Sequence, residues 1–166
     1  MRRLAAAVML IISLLVSGLA IAGPSEDAKQ AYDRGDYKTA YRLNKSLAER
    51  GSPVAQSNLG LMYYNGKTVP QNYAEATKWF RKAADQGDAD SQYSLGLMYA
   101  IGKGVPQDHV LAYMWLNLAS TRDSAWEKGK RDKAEENRKN LASKLTPAQI
   151  AEAQKLSREW KPKKEK

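Results

Sequence analysis

The chain has 166 residues, enough for one domain of ordinary size, and its 27 lysines and arginines against 18 acidic residues give a net charge of +9. It contains no cysteine and a single histidine, His109, which excludes disulfides, thiolate metal sites, a cysteine nucleophile and His–His relays. The charge is uneven: residues 23–123 hold 12 basic and 11 acidic side chains while residues 124–166 hold 13 and 7, so much of the excess belongs to the C-terminal end.

Met1-Arg2-Arg3 is a short positive stretch, and Leu4 to Ile21 is an apolar run broken by Ser13, Ser17 and Gly18. Ala20-Ile21-Ala22 puts small residues at both recognition positions of a cleavage site. These are the parts of a secretory signal peptide over residues 1–22, which predicts a mature protein in a bacterial periplasm or secreted beyond it. The alternative is an uncleaved leader anchored in the inner membrane, since roughly 18 apolar residues just span a bilayer.

Residues 23–52 form an incomplete unit. Glu26 to Arg34 predicts a short helix, and Gly35-Asp36-Tyr37 opens a second whose Ala40, Leu43, Leu47 and Ala48 share a stripe. Two complete units follow, residues 53–88 and 89–123. Leu59-Gly60-Leu61-Met62-Tyr63 returns 36 residues on as Leu95-Gly96-Leu97-Met98-Tyr99, Gly66-Lys67 as Gly102-Lys103, Val69-Pro70-Gln71 as Val105-Pro106-Gln107, and Trp79 as Trp115. A fixed period of this length marks a stacked-repeat architecture.

Each unit reads as two helices joined by a Gly/Pro loop. Ala55, Leu59, Met62 and Tyr63 make the apolar stripe of one first helix, and Ser91, Leu95, Met98 and Tyr99 that of the next. Gly60 and Gly96 stand inside these helices, where glycine costs about 1 kcal/mol against alanine, so a neighbouring helix is expected to pass too close for a Cβ. Gly66 and Gly102 read as C-caps. The second helices carry Ala76, Trp79, Phe80 and Ala83, then Ala112, Trp115, Leu116 and Ala119. Two cap series keep the same period, Asp36, Asn72 and Asp108 for second helices and Ser52, Asp88 and Ser124 for first helices; Asn72 with Glu75 predicts a capping box.

Residues 124–160 depart from the repeat and read as C-terminal capping helices. Ser124 with Glu127 predicts a second capping box, opening a charged helix with a thin stripe of Ala134, Leu141 and Leu145. Thr146-Pro147-Ala148-Gln149 is a strong start for the last helix, whose Ile150, Ala153, Leu156, Ser157 and Trp160 should fold back on the stack. Lys161 to Lys166 reads as a frayed basic tail.

The repeated pattern A-Q-x-x-L-G-x-M-Y-x-x-G-K-x-V-P-Q-[ND]-x-x-x-A-x-x-W-x-x-x-A resembles the Sel1-like repeat, a relative of the tetratricopeptide repeat. The resemblance covers roughly residues 27–125. It implies an all-α fold, a short α-solenoid of stacked helical hairpins with a C-terminal capping pair, and a scaffold that binds protein or peptide partners, often in bacterial envelopes. Some members clip each hairpin with disulfides; this chain has no cysteine for that.

No enzyme reading emerges from the residues. His109 follows the cap Asp108 with no second histidine or carboxylate cluster beside it, which predicts a capping-turn residue rather than a metal ligand or base. Gly66-Lys67-Thr68 and Gly102-Lys103-Gly104 lack the spacing and the preceding strand of a phosphate loop. Tyr63, Tyr99, Trp79 and Trp115 sit on the packed stripe and read as core. No cofactor, no metal and no nucleic-acid partner are expected. Positions that differ between copies while framed by identical ones are the candidate partner contacts: Ser57 and Tyr93, Asn58 and Ser94, Tyr64 and Ala100, Asn65 and Ile101. The helical wheel sets 57, 64, 93 and 100 opposite the core stripe and 58, 65, 94 and 101 on its flank. Simple drift on a solvated surface would produce the same differences. A competing reading is charge-driven attachment to an envelope polymer or membrane surface through the basic C-terminal end.

Overall fold

The computed structural model describes residues 23–121 and 127–163; the leader 1–22, the expected cap Ser124 and the tail end 164–166 lie outside the described residues. These residues form α1 (Pro24–Asp33), α2 (Tyr37–Glu49), α3 (Pro53–Asn65), α4 (Tyr73–Asp85), α5 (Ala89–Ile101), α6 (His109–Thr121), α7 (Lys128–Ala142) and α8 (Pro147–Glu159), with no strand among them. Each helix from α1 to α6 packs on the next in sequence, so chain order is stacking order up to α7. Two hairpins of equal length, α3–α4 and α5–α6, are the repeat units, and α1–α2 is the shortened first copy. None of the described helices is long and apolar enough to cross a membrane.

The caps hold as the sequence predicts at most ends. Asp36, Asn72 and Asp108 accept from the backbone N–H of Thr39, Glu75 and Leu111, and Ser52 and Asp88 from those of Ala55 and Ser91. Gly66 and Gly102 close α3 and α5 in the left-handed conformation, both at φ 69°. The capping box at Asn72 and Glu75 is only half made. The Asn72 N–H already donates to the Tyr63 carbonyl at 2.9 Å, which leaves Glu75 no donor to reach back to, and its carboxylate lies 3.4 Å from Lys78 Nζ instead. Glu127 does not complete a box either: it stands at the N-cap of α7, with no side-chain cap bond, because the helix starts at Lys128. Thr146 and Gln149 do form the reciprocal box expected of α8.

The core follows the two stripes. Ala55, Leu59 and Met62 of α3 pack with Ala40, Ala48 and Trp79, while Leu95 and Tyr99 of α5 pack with Trp115, Leu116 and Leu118. Phe80 and Met98 join the two units in a smaller cluster with Ala76. The close approach at the internal glycines is real: a Cβ on Gly60 would stand 2.6 Å from the Phe80 ring, and one on Gly96 2.8 Å from Leu116 Cγ.

A buried amide adds a repeat feature that apolar periodicity does not reveal. Gln56 and Gln92 are fully buried, and each donates through Nε2 to a carbonyl eight residues back, Ala48 at 3.1 Å and Ala84 at 3.2 Å. Each bond ties a first helix to the last turn of the preceding second helix, on a carbonyl that also accepts the backbone N–H of Gly51 or Gly87.

The C-terminal end closes the stack. α7 packs on α6 through Ala134 and Leu141, whereas α8 turns back and has α6 as its main neighbour. Trp160 meets Trp115 edge-to-face at 6.3 Å, and Ser157 donates to the Ala153 carbonyl. The tail does not fray at Lys161. Lys163 is pinned to α4, its N–H on the Asp85 carbonyl at 2.8 Å and its ammonium on the Asp85 carboxylate at 3.0 Å.

Candidate functional site

The first helices of successive units leave an open groove at the N-terminal end of the stack. A cleft of about 470 Å³ runs between α1 and α3, lined among others by Ala28, Tyr32, Val54, Asn58, Leu61 and Asn65. Val54 and Leu61 are seven residues apart, two turns on one helical face, and point out of the stripe that α3 gives to the core. They are 55% and 44% exposed, and Tyr32 across the cleft is 38% exposed. Large apolar side chains scattered singly over a surface need no explanation, but three around one cleft mark a place for a partner.

The polar side of the groove is built, not incidental. Asn44 of α2 is buried, donates to the Ala40 carbonyl at 2.9 Å and accepts from Asn58 Nδ2 at 3.0 Å. That pair fixes the orientation of the Asn58 amide at the cleft wall. Glu26, Lys29 and Lys67 also line the cleft, so its charged groups are mixed in sign.

The second unit differs. Asp90 stands where α3 has Val54, and it takes Lys130 of α7 at 2.9 Å. Leu97, the counterpart of Leu61, is half-buried against the C-terminal cluster. The repeat therefore leaves its apolar first-helix surface open at one end and occupied at the other.

The eight candidate contact residues do not share one face. Asn58 and Asn65 line the groove. Ser57 is a correction: it is 7% exposed, because α3 is packed by α2, α4 and α5 together and the side that the wheel gives to solvent is covered. Tyr93, its counterpart, is half-buried and its hydroxyl accepts from Asn137 of α7. Tyr64 belongs to a clamp between the units. It stacks edge-on against Tyr73, and Lys103 lies over both rings at 4.7 and 4.0 Å. Contact with the Tyr73 hydroxyl, and then with Tyr64, outweighs desolvation and holds the Lys103 ammonium above the ordinary lysine range. Ala100 packs against the C-terminal cluster, Ser94 donates to the Asp90 carbonyl, and Ile101 is exposed. Tyr32, Val54 and Leu61, which line the groove, are not among the positions that the sequence comparison of copies selects. The signal was present in Val54 and Leu61, apolar and two turns apart but outside the core stripe.

His109 opens α6 as expected. Among the described residues no group of three or more histidines and carboxylates could hold a metal ion.

Comparison with known proteins accords with this geometry. Residues 53–88 and 89–124 each match the family model described as the Sel1 repeat. Among solved structures, the chain is similar to a protective antigen present in uropathogenic Escherichia coli strains that displays an SLR fold, at 34% identity and a TM-score of 0.74. It is similar also to a Sel1 repeat protein from Oxalobacter formigenes, at 25% identity and a TM-score of 0.63. These alignments cover 82% and 81% of this chain, but only 29% and 54% of those proteins, so the chain spans a part of their length. No curated protein matches it. The architecture is thus a short α-solenoid of Sel1 type, with two Sel1 repeats at its centre.

Proposed function

We propose that two Sel1 repeats, a shortened first hairpin and two closing helices make this chain a non-enzymatic scaffold of the bacterial cell envelope that binds a protein or peptide in the groove between α1 and α3. Sel1 repeats generally mediate protein–protein interaction. The observation that carries the reading is the exposure of Val54 and Leu61 beside an oriented Asn58 amide, at the end of the stack where, among the described residues, no other helix takes up the counterpart surface. Apolar side chains supply affinity and the asparagines supply hydrogen bonds to a main chain, a combination that suits an extended or helical peptide with a bulky apolar anchor. A partner outside the cytoplasm is the reading that the leader over residues 1–22 supports. With so short an array the affinity should be modest, about micromolar.

Selection from a random peptide library tests it. Selected peptides should carry an apolar anchor and lose about tenfold or more in affinity for Leu61→Asp, since a charge would replace a buried methyl contact. Peptides that bind Leu61→Asp as well as the parent chain, or a selection that yields none, would remove the groove from the account.

A further inference from the structure

A second cleft, sharing no lining residue with the groove, lies along α4 on the second-helix side. It measures about 570 Å³, and its lining holds four cations, Lys78, Arg81, Lys82 and Lys163, against one carboxylate, Asp85. Lys78, Arg81 and Lys82 follow one another at i, i+3 and i+4, so a single face of α4 presents all three. Two of them are held over rings: Arg81 lies 5.3 Å from the Tyr99 centroid and Lys82 5.1 Å from that of Trp79. The fourth cation is delivered by the returning C-terminal segment, whose Lys163 engages Asp85 through both main chain and side chain. Asp85 is thereby partnered, and with Glu75 counted against Lys78 the four cations still outnumber the two carboxylates, so the cleft is positive.

We infer that this cleft is an anion-binding site for a glycan bearing carboxylate, sulfate or phosphate groups, distinct from the peptide groove. Its volume accommodates a short oligosaccharide, and Ala74 and Val105 give its wall an apolar surface for the face of a sugar ring. Single-stranded nucleic acid suits it less, because Trp79 and Tyr99 are buried beneath the cations and offer no plane for a base to stack on. A bilayer presents its headgroups in a plane, whereas these charges line a recess.

The test uses the full chain and a short heparin oligosaccharide as the anionic glycan, with neutral dextran, single-stranded oligothymidylate, and phosphatidylcholine vesicles containing phosphatidylglycerol as the other arms. At low ionic strength the heparin oligosaccharide should bind and dextran should not. The double substitution Lys78→Gln with Lys82→Gln should weaken heparin binding by about thirtyfold, two lost cations at roughly 1 kcal/mol each. Lys163→Gln should weaken it by a smaller factor, and Lys45→Gln with Lys155→Gln, an equal charge change outside the cleft, should leave it nearly unchanged. Unaltered circular dichroism keeps the comparison free of unfolding. Equal losses in the two double variants would reduce the effect to net charge and overturn the assignment. Tighter binding of vesicles or oligothymidylate than of the glycan would overturn the ligand class, and absence of heparin binding would overturn the site. None of these outcomes bears on Leu61→Asp and the peptide groove.

Discussion

Gly60 lies against the face of Phe80, so close that a Cβ on it would stand 2.6 Å from both Cδ1 and Cε1 of the ring. The same relation recurs one unit on between Gly96 and Leu116. Within each hairpin the first helix gives up a side chain so that the second can press a large one into the space. Gly60→Ala should therefore destabilise the protein by about 1–2 kcal/mol, since so close an approach puts the overpacking cost at about 2–3 kcal/mol and about 1 kcal/mol of helix propensity is regained. Combining it with Phe80→Leu should cost less than the sum of the two changes, because the shorter side chain makes room. Urea unfolding of the four proteins checks this; a neutral or stabilising Gly60→Ala would show that the contact is looser than described.

The buried glutamines predict an asymmetry between the repeats. Gln56 uses both ends of its amide, donating to the Ala48 carbonyl and accepting from Gln86 Nε2 at 2.8 Å. Gln92 donates to Ala84, but its Oε1 accepts from none of the described residues. Replacement by methionine, similar in length, should cost about 2–3 kcal/mol at Gln56 and about 1 kcal/mol less at Gln92. Equal losses in chemical denaturation would contradict the difference in partners.

Tyr63 sets an alkaline limit. Its hydroxyl pairs with that of Tyr41 at 3.0 Å, and this bond, followed by burial, pushes its pKa from 10.0 up to about 12. The folded state thus keeps a proton that the unfolded chain loses, so the contribution is intact below pH 10 and is lost as the pH rises towards 12. Absorbance titration of the phenolates should resolve one late tyrosine, absent from Tyr63→Phe and shifted earlier in Tyr41→Phe. A late step unchanged by both substitutions would refute the assignment.

Trp160 anchors the closing helix. Its ring meets Trp115 edge-to-face, and it packs against the same cluster as Ile150 and Leu156. Trp160→Ala should cost roughly 2–3 kcal/mol, below the range for a fully buried tryptophan because the side chain is half-buried. Ending the chain after Pro162 should cost less than 1 kcal/mol, since it removes a pair exposed on the lysine side. The comparison separates packing of α8 from pinning of the tail.

Much of the architecture was legible because duplication states it twice. The period placed the hairpins, the cap series placed their starts, and the paired glycines announced the close approach at Phe80 and Leu116. The half-made box at Asn72 was not legible, since the Tyr63 carbonyl that occupies its N–H comes from the preceding helix. The docking of the tail was not legible for a similar reason: nothing adjacent to Lys163 in sequence announces Asp85. The exposure of Ser57 and Tyr93 was not legible from comparing copies, because Ser57 is covered by neighbouring helices and Tyr93 meets Asn137 of α7. The groove depends on the exposure of Val54 and Leu61 among the described residues, which only the stack as a whole can reveal.

The most direct measurement places a photo-crosslinking amino acid at position 65, in the groove, and in a second protein at Lys45 on α2, and irradiates both in cells that produce the full chain. The account predicts a discrete polypeptide adduct from position 65 that is lost when Leu61→Asp is added, with no such adduct from position 45. The same adducts from both positions, or an adduct at 65 that survives Leu61→Asp, would contradict it.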